Sequence, residues 1–469
     1  MTRHPTALLI AGALALAAPL LSAAPPDAAD PAARLRPYAK NPWYWQYQQQ
    51  PVLLLGGSTD DNLFQLPELA AHLDTMAAAG ANYVRNTMSD RKDGGFEVYA
   101  FKRLAGGKYD LAQWNDDYWR RFADFLRLTH ERGIIVQIEV WDRFDFSMKN
   151  WPPHPFNPAN NVNYTHEESG LAAAYPDHPG ANRQPFFFTT PKQRNHAVVL
   201  AFQEKFVAEM LRHALPYPHV LYCMDNETNG EEAWAVHWAD FIQARARAAG
   251  AEVFLTQMWD DWNLQGEHHR RTFDHPERFA FVDISQNNHQ QGQPHWDNFQ
   301  WARRHLAKQP RPINTVKTYG ADRNKFGHTN RDGLERWWRH LIGGAAAVRF
   351  HRPDSGLGFS APAVAAVRAA RKLESLVKPW DLEPAPALLR QCDANEAYLA
   401  AKPGTAHAVY FPDGGAVELD LRAATGPFEV RWINIQTGDW GPRTTLDGGD
   451  WRPLAPPAAG HWAAAIVRP

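Results

Sequence analysis

The chain has 469 residues, 44% of them hydrophobic and 21% charged, with a formal net charge of −2. That composition fits a globular protein of two or three domains, and the near-neutral balance excludes the broad basic field that nucleic-acid binding needs. Cys223 and Cys392 lie in separate segments, which points to inert thiols rather than a disulfide framework, while 19 tryptophans suit an aromatic core or a sugar-stacking surface.

Arg3 and His4 precede an apolar run at 7–21, and Ser22, Ala23 and Ala24 follow it. A short basic start, an apolar stretch too short to span a bilayer comfortably and small residues for cleavage make a signal peptide over 1–24. The expectation is a secreted or periplasmic protein with no membrane association after cleavage. Residues 25–44 read as a Pro/Ala/Asp-rich linker.

From residue 45 strand and helix patterns alternate. An apolar run at 51–57 precedes a helical pattern at 67–80, and a second run at 82–87 precedes one at 114–132. In that helix Trp119, Phe122, Phe125 and Leu126 recur at three- and four-residue steps. A third run, 134–142, leads into an irregular stretch over 143–190, rich in Pro, Asn, His and aromatics. Loops of that length are functional or disordered, and the aromatic content argues against disorder. A helix at 191–214 leads to the apolar run Val220 to Met224, which stops abruptly in Asp225-Asn226-Glu227. Strand patterns at 252–257, 279–285, 311–317 and 345–351 complete the series, with helices at 231–248, 296–307, 331–342 and 362–377.

Eight strands, nearly all followed by a helix, imply a parallel sheet closed into a (β/α)8 TIM barrel over 45–380. The competing architecture, a doubly wound open sheet, has no Gly-rich nucleotide fingerprint or phosphate loop behind it. Beyond Leu382 short alternating strands and Gly-rich turns predict a small C-terminal antiparallel β-sandwich domain over 386–469.

Active sites of such barrels form at the C-terminal ends of the strands. Read in order, those ends carry Asp60 and Asp61; Arg85 and Asn86; Glu139, Trp141 and Asp142; Asp225, Asn226 and Glu227; Trp259 to Trp262; Gln286 to His289; Lys317 and Tyr319; and His351, Arg352 and Asp354. Any one of these is more simply a solvated loop residue. Their weight comes from convergence on one mouth.

This pattern resembles the large clan of (β/α)8-barrel glycoside hydrolases that places an Asn-Glu pair after the fourth strand. The resemblance rests on Asn226-Glu227 and on Arg85 of the second strand, and it covers about residues 45–380. It implies Glu227 as general acid/base, Asn226 on a sugar 2-hydroxyl and Arg85 bracing catalytic carboxylates. The segments AVYFPDGG, VRWINIQTGDW and HWAAAIV resemble the collagen-binding-like β domain often appended to such barrels; the first reading of this domain is a structural one. The chain departs from the clan at the seventh strand, where the second carboxylate is expected and Lys317 stands instead.

Three expectations concern the charged groups of the mouth. Glu227, partly desolvated, is a general acid with a raised pKa. An inverting partner on the opposite sugar face is Asp60 or Asp142, with Asp260 ranked below Asp60 because it closes a strand next to the fourth, and a base must stand off by a sugar and a water. Lys317, unable to act as nucleophile, pairs with an acidic sugar. Trp259, Trp141, His289, His351 and Tyr164 complete the substrate-binding set, and the long loop, with Trp151, Phe156, Asn160 and Asn161, lines the cleft opposite Trp259 and Trp262. No metal-ligand helix pair and no cofactor motif stands out, so the partner is an oligo- or polysaccharide and the chain a monomer. A polysaccharide lyase, a retaining enzyme with a displaced nucleophile and a non-catalytic glycan binder are the alternatives.

Overall fold

A computed structural model describes residues 31–88, 91–92 and 94–468; the signal-peptide reading falls outside them. Eight parallel strands form the barrel sheet: β1 (Leu54–Gly57), β2 (Tyr83–Thr87), β3 (Ile135–Asp142), β4 (Val220–Asn226), β5 (Leu255–Thr256), β6 (Val282–Asp283), β7 (Ile313–Thr318) and β8 (Ala347–Phe350). Their order is β5-β4-β3-β2-β1-β8-β7-β6. The ring is nearly closed. At the remaining seam β5 and β6 have two residues each and share no ladder. At the β1–β2 step the strands press close, since a Cβ on Gly56 would lie 1.8 Å from the Tyr83 carbonyl oxygen; only glycine permits that approach.

Eight helices surround the sheet: α1 (Leu69–Ala78), α2 (Asp116–Glu131), α3 (Ala197–Ala214), α4 (Glu232–Ala248), α5 (Glu267–Phe273), α6 (Gly292–Leu306), α7 (Asn330–Ile342) and α8 (Ala361–Leu376). Asn115 caps α2 by accepting the Asp117 N–H, and the periodic Trp119, Phe122, Phe125 and Leu126 are buried as their spacing requires. Thr329 and Asp332 close a capping box on α7. The seven-residue α5 is too short and too polar to register in the sequence pattern.

The segment read as a linker is not one over its described part. Arg34 donates to the carbonyls of Leu215 and Tyr217, and Leu35 and Tyr44 are buried. A hairpin of residues 45–47 and 50–52 then drives Trp45 into the closed end of the barrel, where its Nε1 donates to Asn314 Oδ1 at 2.9 Å. Tyr83 donates to Gln137 at 2.6 Å, and Asn314 to Tyr83 at 3.1 Å. These groups form a satisfied polar floor, and the opposite end stays open.

The C-terminal strands are β9 (Tyr398–Lys402), β10 (Ala406–Phe411), β11 (Val417–Asp420), β12 (Pro427–Asn434), β13 (Trp440–Asp447), β14 (Trp451–Leu454) and β15 (Trp462–Val467). One antiparallel sheet runs β9-β10-β15-β12-β13, with residues 383–384 on its edge; in a second, β11 pairs with residues 389–390 on one side and with β14 on the other. Alternation gives the larger sheet two buried faces. Leu399, Val409, Phe411, Val430, Ala464 and Ile466 meet the smaller sheet. Tyr398, Ala400, Ala408, Tyr410, Ala463 and Ala465 belong to the same hydrophobic core as the barrel. Trp338 of α7 stacks on Tyr410 with ring centroids 5.7 Å apart, and Arg303 of α6 pairs with Glu383 at 2.6 Å.

Candidate active site

Glu227 follows the last residue of β4 in a left-handed conformation, φ 43°, which a non-glycine residue adopts only where its surroundings enforce it. The surroundings are three donors. Lys317 Nζ on β7 lies 2.8 Å from Oε1, Gln286 Nε2 donates to the same oxygen at 2.7 Å, and the Tyr319 hydroxyl donates to it as well. All three meet at Oε1. The side chain is 18% exposed, so Oε2 is the oxygen left to face the mouth.

This arrangement overturns the expected raised pKa. Burial pushes the Glu227 carboxyl up, but the Lys317 ammonium, its hydrogen bond and that of Tyr319 outweigh burial and hold the group well below the usual carboxylate range. Glu227 is therefore a carboxylate at neutral pH. Lys317 is buried, which lowers its own pKa, with Glu227 working against that trend. Its ammonium is occupied, so the motive for placing an acidic sugar beside it falls away.

Arg85 lies across the mouth on β2, fully buried between Asp61, with which it forms an ion pair, and Glu139, 3.4 Å away. Arg352 approaches Asp61 to 3.3 Å and His351 Nδ1 to 3.6 Å. Burial keeps the His351 imidazole neutral despite Asp61. Asp142, expected as a base, is consumed: it pairs with Arg91, accepts the Phe144 N–H at 3.0 Å and accepts the Asn226 amide at 2.8 Å. Asn226 is buried with it, its Nδ2 turned to Asp142 rather than to open space. Asp60 accepts the Asp61 N–H at 2.7 Å, in a separate recess with Asn62, Arg91, Glu97 and Arg352. Burial raises the Asp60 pKa.

Most of the aromatic residues assigned to substrate do structural work. Trp141 packs on Phe186, Phe206, Trp234 and Trp238 between β3 and the helices, with centroids 5.1–5.8 Å apart. Trp259 is buried, its Nε1 donating to Thr272 at 2.8 Å. The long loop buries its own rings. Trp151 donates to the Ala172 carbonyl at 2.8 Å, Tyr164 to the Phe156 carbonyl at 2.7 Å, and Phe146 stacks on Phe186 at 4.2 Å. Asn157, Asn160 and Asn161 satisfy backbone carbonyls of the same loop, as irregular buried backbone requires. The expectation that this loop lines the cleft with these rings is corrected to a packed cover. His289 does face the mouth, 5.0 Å from the Tyr319 ring and beside Phe326. The exposed rings near the strand ends are Trp262 and Phe326, at 57% and 42%. Sequence reasoning places Gln286 and Tyr319 at strand ends without assigning them to Glu227; what fixes their role is convergence on one oxygen, which no spacing reveals.

With this geometry the chain can be set beside solved structures. Its fold is that of glycoside hydrolase barrels. A family 5 glycoside hydrolase from Bacteroides vulgatus superposes with TM-score 0.61 at 12% identity, over 92% of each chain. A second glycoside hydrolase gives 0.61 at 11% identity over 93% of this chain and 97% of its own. An alpha-amylase from Geobacillus thermoleovorans, solved with acarbose, gives 0.54 at 11% identity over 87% and 92%. No family model matches the sequence, and no curated protein does. Among the described residues no group of three or more His, Cys, Asp or Glu side chains is arranged to hold a metal ion.

Proposed function

We propose that this protein is an exported glycoside hydrolase, acting as a monomer on a plant, algal or microbial glycan, with Glu227 working as a carboxylate. The observation that carries the reading is the division of labour between the Glu227 oxygens: Oε1 holds Lys317, Gln286 and Tyr319, and Oε2 is left for substrate. A carboxylate so held stays ionised and fixed in direction. It can take a proton from water attacking the anomeric carbon, or attack that carbon itself. The fold shared with enzymes named glycoside hydrolases supports the substrate class, and Trp262 and Phe326 offer flat apolar faces at the rim. The C-terminal β unit serves as a brace for α6, α7 and α8.

The experiment is a reducing-end assay on a polysaccharide panel with wild type and Glu227→Gln. New reducing ends from the wild type, reduced by about four orders of magnitude in the variant, support the reading. Absorbance from an unsaturated uronate means a lyase, and glycan binding without product means a binding protein; both outcomes reject it.

A further inference from the structure

Within the glycosidase reading, a Glu227 that works as a carboxylate leaves unassigned the acid that protonates the departing oxygen, and any assignment of that acid rests on that reading. We propose that Asp260, just past β5, is this proton donor, because it is the strand-end carboxyl without a hydrogen-bond or ion-pair partner among the described residues and its backbone is laced to that of the Glu227 turn.

The other strand-end acids are engaged. Asp61 is held by Arg85 and Arg352, and Asp142 by Arg91 and Asn226. Glu139 accepts from Gln137 at 3.0 Å, Asp225 pairs with Arg143 at 3.4 Å, and Asp283 accepts the Ser285 N–H at 2.8 Å. Asp261 accepts the Asn263 N–H at 2.9 Å, Asp354 accepts from Ser355 at 2.8 Å, and Asp60 accepts from Asp61. Glu139, Asp225 and Asp283 are moreover fully buried, out of reach of a glycosidic oxygen, Asp60 sits in its separate recess, and the cations around Asp61 hold it ionised.

Position supports the assignment. The Asp260 N–H donates to the Thr228 carbonyl at 2.8 Å, the Thr228 N–H donates to the Met258 carbonyl at 3.0 Å, and Thr228 and Trp259 form a parallel bridge. The Trp259 ring turns outward to Thr272 of α5, whereas Asp260 is exposed and within reach of the Glu227 charge, on the mouth side. Two residues of rise and one strand spacing put the Glu227 and Asp260 backbones roughly 8 Å apart. An inverting pair needs its carboxyl groups about 6.5–9.5 Å apart to admit the water, a separation that backbones at this spacing allow. Asp260 is solvent-accessible. Burial and the Glu227 charge both raise its pKa, with Lys317 and His178 opposing and Asp261 adding. The two carboxyls are thus displaced in opposite directions, the division of environments that separates an acid from a base.

In the balanced step Asp260 gives its proton to the glycosidic oxygen as the bond from that oxygen to the anomeric carbon breaks. Water supplies the new oxygen on that carbon and its proton passes to Glu227. Proton return from Glu227 to Asp260 through solvent completes the cycle, and the products are a free hemiacetal and an alcohol.

The test compares 4-methoxyphenyl and 2,4-dinitrophenyl glycosides of glucose, galactose, mannose and xylose, in both anomers. A good leaving group needs no proton. Asp260→Asn should lose about 100-fold or more on the methoxyphenyl substrate and less than about five-fold on the dinitrophenyl one. The alkaline limb of the pH profile should flatten, and Asp260→Glu should restore much of the loss. Equal losses on both leaving groups, or none, in a variant with wild-type circular dichroism overturn the assignment while the hydrolase reading stands. A wild type that cleaves none of these glycosides and no polysaccharide overturns the hydrolase reading itself.

Discussion

The two sides of the barrel mouth contain the same chemistry arranged to opposite ends. On the β1–β3 side Asp61, Arg85, Glu139, Asp142 and Arg91 are tied into ion pairs with one another, and Asn226 of β4 donates to Asp142; some buried polar atoms there, Glu139 Oε2 and Asn226 Oδ1 among them, make no hydrogen bond. On the β4, β5 and β7 side Glu227 is gripped by one oxygen only, and Asp260 is gripped by nothing among the described residues. A charge-paired cluster stores rigidity, because removing a member leaves a buried charge without its counter-charge. An unpaired carboxyl keeps proton-exchange capacity. A count of acids at strand ends therefore says little, and their missing counter-charges say more.

The most damaging challenge to this contrast is Arg85→Met. It strands Glu139 and leaves Asp61 with Arg352 alone, both acids being buried, and should cost about 3–5 kcal/mol of stability in urea melts. A variant that melts like wild type would remove the structural role of the charge-paired side. The second change, Lys317→Met, acts on the other side. Glu227's depressed pKa means its ionised form persists to low pH; without Lys317 burial dominates, and the acid limb of activity should move up by about 1–3 pH units. An unmoved limb would mean that Lys317 does not set Glu227's charge.

A third change tests a group of the β6 strand whose charge is coupled to Glu139 on the other side. Asp283 is pushed up to about 7, first by burial and then by Glu139. Its folded pKa exceeds the unfolded carboxylate value of about 3.9, so the native state keeps a proton that the unfolded state releases, and this group's contribution falls as pH rises from about 4 to 7. Asp283→Asn should remove up to roughly 1.4 kcal/mol per pH unit from that slope, read as urea melts across the window. An unchanged slope would place the titration elsewhere, first on Asp225, which is likewise raised to about 7.

The barrel is legible in the sequence because its strands are continuous apolar runs, buried on both faces, and its helices carry a period of 3.6, and Glu227, Arg85 and Lys317 are legible because strand ends have positions. Their partners are not. Sequence alone turns Lys317 toward substrate, although its nearest anion is Glu227 across the barrel, a contact made by closure and not by sequence distance. The loop aromatics mislead for a related reason. Composition cannot distinguish a ring that faces a sugar from one that fills the space beneath an irregular backbone, and Trp151 and Tyr164 do the latter. Trp45 gives no signal of its role because its hydrogen-bond partner, Asn314, lies 269 residues away.

The β9-β10-β15-β12 sheet has consequences during synthesis. The faces of α7 and α8 that it covers are completed by Tyr410, Ile433 and Ala465, all made after the barrel's last strand. A ribosome extending the chain at about 5–20 residues per second spends several seconds with those helix faces bare after the barrel's last strand has emerged. The nascent chain passes through a sticky interval that ends only when β15 has been made, so a stop codon that removes β15 should yield aggregate rather than a trimmed barrel.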